Sequence, residues 1–66
     1  MEVEEELIAT YRGIHIVRQT GKVSGLQYMA LGNGVIHGIY EPRHGEDQIA
    51  TLKRIKKDLR RDLGPA

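Results

Sequence analysis

Basic side chains cluster near the C-terminus of this 66-residue chain, where they recur at helical spacing. At 100° per residue, five of them fall within an arc of roughly 120°, on the side away from a stripe of Ile and Leu. They are Lys53, Arg54, Lys57, Arg60 and Arg61. Cations in such an arc can bind phosphates by counterion release, without reading a base sequence. The arc is therefore the candidate contact for nucleic acid or another anion. The alternative interpretation is that these side chains only form a solvated face that keeps a small domain soluble.

Histidine and serine are the other residues that could carry chemistry. His15 and His37 are expected on one face of a sheet, and His44 lies in a turn. No histidine pair has the i, i+4 spacing of a metalloprotease helix, and the chain contains no cysteine, so we expect no metal site and no cofactor. Ser24 has no base at a suggestive spacing. We therefore expect no catalytic residue and no enzyme activity.

Length and composition restrict the class of protein further. The chain is 39% hydrophobic and 29% charged with a net charge of +1, which is typical of one small soluble domain. A chain of this length buries only about 60% of its unfolded surface, which leaves little room for a deep cleft. No apolar run approaches the roughly twenty residues of a membrane helix. The first six residues are acidic where a signal peptide would be basic, so a cytoplasmic protein without a membrane partner is expected.

Turn-forming residues divide the first two thirds of the chain into three segments of strand-like composition. The turns are predicted at residues 19–22, 32–34 and 41–45, each of which contains glycine. The segments run from Leu7 to Arg18, from Val23 to Leu31 and from Val35 to Tyr40. They are rich in residues that suit a pleated sheet, and short connections favour antiparallel pairing. The pattern predicts a three-stranded antiparallel β-meander.

After Gly45 the apolar period changes to that of a helix. Apolar side chains recur at spacings of three and four, at Ile49, Leu52, Ile55, Leu59 and Leu63, and Gly64-Pro65 follows as a stop signal. The spacing predicts an amphipathic helix from about residue 46 to 63. The predicted fold is thus α+β in the order β-β-β-α, with an acidic N-terminal tail at residues 1–6 and a single domain at residues 7–66.

One helix can cover only one face of such a sheet. Both faces carry apolar side chains, so the pattern leaves open which of them meets the helix. The alternation predicts that the second face exposes a candidate interface of Val17, Met29, Val35 and Ile39. Burying this face would add the core that a short chain lacks. We therefore expect a homodimer or another protein partner.

The general layout resembles that of small accessory proteins of phages and mobile elements. The resemblance is carried by the opening Tyr11-Arg12-Gly13-Ile14, with further short strands and a helix after it, and it implies no residue roles. The sequence predicts a non-enzymatic protein-interaction module of adaptor or inhibitor type. The alternative is a small nucleic-acid-binding protein that uses the basic helix, the sheet or both. The pI of about 8.1 lies below the value of about 9 that is common for such proteins.

Overall fold

The fold is a four-stranded antiparallel sheet followed by one helix. The computed structural model describes residues 3–21 and 25–64. The strands are adjacent in chain order: β1 (Val3–Tyr11), β2 (Ile14–Gly21), β3 (Gly25–Gly32) and β4 (Val35–Tyr40). The helix α1 (Gln48–Leu63) comes last. The predicted α+β class, with an antiparallel sheet and a C-terminal helix, is confirmed, but the predicted count of three strands is wrong.

The extra strand arises from a turn inside the predicted first segment. Arg12 and Gly13 both have positive φ angles, 51° and 82°, so the chain reverses there and Tyr11 pairs with Ile14. Two successive positive φ angles are the geometry of a tight hairpin turn, whose strongest sequence signal is Asn-Gly or Asp-Gly. Arg-Gly lacks that signal, which is why composition alone reads residues 7–18 as one strand.

The acidic residues assigned to an N-terminal tail of residues 1–6 lie largely in β1. Its register places Glu5 opposite Gln19 and Glu6 opposite Arg18. Both carboxylates bond to the side chains that face them. Cross-strand pairs of this kind stabilise a hairpin, so part of the acidic run belongs to the sheet.

The second tight turn follows the sequence prediction. Asn33 and Gly34 have φ angles of 50° and 75°, and Gly32 pairs with Val35 across them. Asparagine and glycine adopt positive φ at lower cost than other residues, which explains their place in this hairpin.

The hydrophobic core lies between α1 and one face of the sheet. The sheet contributes Ile14, Ile16, Tyr28 and Ala30, and the helix contributes Ile55 and Leu59, all of them buried. Leu52 packs at the margin, while Ile49 is 67% exposed. The helix is therefore rotated relative to the predicted stripe.

Thr51 enters the core, although the predicted apolar stripe does not include it. It is fully buried, and its hydroxyl lies 2.9 Å from both the Asp47 carbonyl oxygen and Glu46 Oε1, either of which can accept its proton, so the hydroxyl is not left without a partner. Asp47 is also the N-cap of α1, because its carboxylate accepts from the Ala50 amide at 2.8 Å. The helix therefore begins at Gln48, two residues after the predicted start, and ends at Leu63 as predicted.

Two irregularities in strand pairing change which side chains share a face. One lies in β1 between Leu7 and Ala9, and the other lies where β3 meets β4, between Ala30 and Leu31. The second adds one residue to β4, so that Leu31 pairs with Ile36 while Ala30 pairs with Gly38. Simple alternation along β4 therefore fails, because a bulge shifts the inward and outward positions by one residue.

Truncating Leu59 tests the docking of the helix. Because Leu59 is fully buried, Leu59→Ala should lower the free energy of unfolding by about 2–5 kcal/mol. The matched control is Ile49→Ala, on the same helix at an exposed position, which should change it by no more than about 0.5 kcal/mol. Urea denaturation of both variants checks this. Equal losses in the two variants would contradict the packing described here.

Candidate functional site

The face of the sheet opposite α1 carries a continuous row of aliphatic side chains. Leu7 pairs with Val17, Val17 with Met29, and Met29 with Ile39, so the row crosses all four strands. Leu7 and Ile39, at its two ends, are each 57% exposed. Leu31 and its partner Ile36 add a shorter second row. We call these six residues the open-face patch.

Polar pairs border the open-face patch along the strand direction. On one side Gln27 Nε2 donates to Gln19 Oε1 at 2.7 Å, and Gln19 Nε2 donates to Glu5. On the other side Thr10 pairs with His15, with 3.4 Å between the hydroxyl and Nδ1. An apolar centre with a polar rim is the usual composition of a protein–protein interface.

Three of the four predicted interface residues lie together in the open-face patch. Val17, Met29 and Ile39 are neighbours in the long row. Val35 is 56% exposed but pairs with Gly32, which places it on the helix side of the sheet. Its predicted place is taken by Ile36, because the bulge in β4 shifts the alternation. Leu7 was missed because the strand break at Arg12–Gly13 carries no strong sequence signal.

A second surface feature is an open groove where the end of β4 meets α1. The groove encloses about 650 Å³ and is lined by four cations, one carboxylate and one phenol. These residues are Arg43, Arg54, Lys57, Arg61, Asp58 and Tyr40. We call it the basic groove.

Tyr40 and Asp58, which both line the basic groove, are hydrogen-bonded to each other. The Tyr40 hydroxyl donates to Asp58 Oδ2 at 2.7 Å, and Arg61 pairs with the other oxygen of the same carboxylate. Burial, followed by the hydrogen bond to Asp58, raises the pKa of Tyr40 to about 12. The phenol is therefore protonated at neutral pH and acts as a donor, and the carboxylate is already occupied by two partners.

Arg54 holds the loop before α1 against the helix. Its Nε donates to Glu46 Oε2 at 3.0 Å and its Nη2 to Glu46 Oε1 at 2.9 Å, with a further bond of 2.6 Å to the Glu41 carbonyl oxygen. The guanidinium, together with the Arg43 amide and the Thr51 hydroxyl, lowers the pKa of Glu46 to about 2. Arg54 therefore has a structural partner, unlike the arc of free cations that the sequence suggests.

The remaining members of the predicted basic arc lie on the outer side of α1. Lys53, Lys57 and Arg60 are exposed and make no side-chain hydrogen bond or ion pair within residues 3–21 and 25–64. Arg61 is exposed beside Asp58. Arg43, which extends the array from the loop, has no sequence signal, because only the fold brings it next to the helix.

The three histidines do not converge. His15 lies on the open face opposite Leu31, whereas the His37 ring lies beside Gly32 and Ile14 on the helix side, so the expectation of a shared face is wrong. His44 is in the loop before α1. Within the part of the chain that the structure describes, no three His, Cys, Asp or Glu side chains are arranged to hold a metal ion. Ser24 lies outside the described residues.

Comparisons with protein-family models, curated proteins and solved structures find no match to this chain. Among the described residues, α1 is too short and too polar to cross a membrane. The described residues form two candidate functional surfaces, the open-face patch and the basic groove.

The acid dependence of stability tests the role of Glu46. Its pKa is lowered from 4.5 to about 2, so the stabilisation it provides is complete above pH 4.5 and is lost as the pH falls towards 2. The free energy of unfolding of wild type should exceed that of Glu46→Gln at pH 7, and this difference should narrow between pH 4.5 and 2. Urea titrations across this range measure this difference in the free energy of unfolding. A difference independent of pH would contradict the role assigned to Arg54–Glu46.

Proposed function

We propose that this protein is a small non-enzymatic protein-interaction module that forms a homodimer through the open-face patch. The observation that carries the proposal is the row Leu7–Val17–Met29–Ile39, an apolar band across the whole sheet with no element of the described chain over it. Contiguous apolar patches of this kind mark interaction sites more often than ordinary surface. A second copy is the occupant that area and symmetry favour.

The area of the face suits a small dimer. Four strands at about 4.8 Å and about eight residues at about 3.3 Å give a face of about 500 Å². Two such faces would bury about 1,000 Å² in total, which is near the lower limit for a specific interface. Because the chain has only 66 residues, the apolar surface buried in the dimer would also be a large addition to its hydrophobic core.

The order of side chains along the row supports two-fold pairing. A two-fold axis between Val17 and Met29 would bring Leu7 of one copy over Ile39 of the other, and Val17 over Met29. The two ends of the row, Leu7 and Ile39, are equally exposed and would then contact each other. The half-buried central residues, Val17 and Met29, would do the same. Such self-complementarity is what an isologous interface requires, and two sheets can pack face to face about 10 Å apart.

An acidic substitution at Ile39 tests the dimer. Sedimentation equilibrium of the wild type at micromolar concentration should give twice the chain mass of 7.4 kDa, whereas Ile39→Asp should give the monomer mass. Burying an unpaired carboxylate between two apolar faces is strongly unfavourable, which is the reason for the expected dissociation. The matched control is Val35→Asp, on the same strand at nearly equal exposure but on the helix side. It should remain dimeric.

Two results would contradict the proposal. A wild type that sediments as a monomer throughout would exclude the homodimer and leave a different protein as the occupant of the patch. An Ile39→Asp variant that remains dimeric would show that the copies associate elsewhere, for example along the edges of β1 or β4. Circular dichroism of each variant establishes that the monomer is folded.

A further inference from the structure

We infer that the outward side of α1, together with the basic groove, binds the phosphate backbone of a nucleic acid. The four contacts are the outward cations Lys53, Lys57 and Arg60, with Arg43 at the groove. Arg61 also lines the groove but is paired with Asp58. This surface is on the opposite side of the molecule from the open-face patch. The inference therefore goes beyond the dimer proposal, and either can fail without the other.

The charge of this surface is much greater than the net charge of the chain suggests. Between residues 53 and 62 six bases stand against two aspartates. Arg61 pairs with Asp58 and Arg54 pairs with Glu46, so the charges within these two ion pairs largely cancel. The bases that remain are Lys53, Lys56, Lys57 and Arg60, and they stand against Asp62 alone. The field outside the groove is consequently positive, which attracts polyanions.

The acidic residues are concentrated at the other end of the helix. Glu6 pairs with Arg18, and Arg18 Nη1 donates to Gln48, the first residue of α1, at 2.9 Å. With a rise of 1.5 Å per residue, Lys57 lies about 14 Å further along the axis, beyond the Debye length of about 8 Å at physiological salt. The glutamates of β1 are therefore largely screened from Lys57 and Arg60, whereas Lys53, about 8 Å from Gln48 along the axis, lies at the Debye length.

An extended polyanion fits this array better than a small phosphate or a protein does. Lys53 and Arg61 are separated by eight residues, about 12 Å along the helix, so one phosphate could not contact all the cations. A duplex carries one negative charge per about 1.7 Å of its axis and can engage the whole row. Between Lys53 and Arg61 the outward side of α1 exposes cations, and its exposed apolar neighbour, Ile49, lies one turn before them, at the edge of the array. Protein interfaces usually have an apolar centre instead.

Fluorescence anisotropy with a labelled duplex DNA tests the inference. Four phosphate contacts predict that the association constant falls about 100-fold between 50 and 200 mM salt. The triple variant with Lys53→Gln, Lys57→Gln and Arg60→Gln should bind more weakly at 50 mM salt and lose only about fourfold over the same range. The single variant Lys57→Gln should reduce the salt slope by about one, whereas Lys56→Gln, on the flank of the helix, should leave it nearly unchanged.

These measurements distinguish binding of a nucleic acid from binding of small phosphates and from dimerisation. Ile39→Asp should bind the duplex with an unchanged salt slope per chain even if it is a monomer. Wild-type binding that does not depend on salt, or a triple variant that is correctly folded and binds as the wild type does, would overturn the inference. Binding of inorganic tripolyphosphate without binding of the duplex would also overturn it and would assign the groove to small phosphates.

Discussion

The packing of Ile55 and Leu59 against Ile16, Tyr28 and Ala30 determines which surfaces are left for function. A single helix of 16 residues covers one face of the sheet, and its opposite side must face solvent. The sheet therefore keeps a second face with an aliphatic row, and the helix keeps a side with three exposed cations. Both candidate surfaces follow from this one contact, since each is the uncovered side of an element whose other side forms the core.

Polar contacts fix the orientation of the helix at both ends. At its start Glu46 is bonded to Arg54 and Thr51, and Arg18 reaches Gln48 from β2. At its end Arg12, in the turn between β1 and β2, donates to the Gly64 carbonyl oxygen at 2.7 Å. The cations that face outward are therefore held on one side of a positioned helix.

The helix was predictable from the sequence because its apolar period and its glycine-proline stop are local signals. The Asn33–Gly34 turn was predictable for the same reason. The strand break at Arg12–Gly13 and the bulge in β4 were not, because each depends on pairing with a neighbouring strand. These two features explain the missed fourth strand and the exchange of Val35 for Ile36 in the patch. The role of Arg54 could not be predicted either, since Glu46 meets it only after the loop has folded onto the helix.

The homodimer that we propose pairs two copies through the rows that cross their open faces. The most direct test is an isotope-filtered nuclear Overhauser experiment on a mixture of labelled and unlabelled chains, which detects contacts between copies only. We expect intermolecular contacts between the Leu7 methyl groups of one copy and the Ile39 methyl groups of the other, with Val17 near Met29 at the centre. Intermolecular contacts confined to the backbone edges of β1 or β4, with none across the open face, would contradict it.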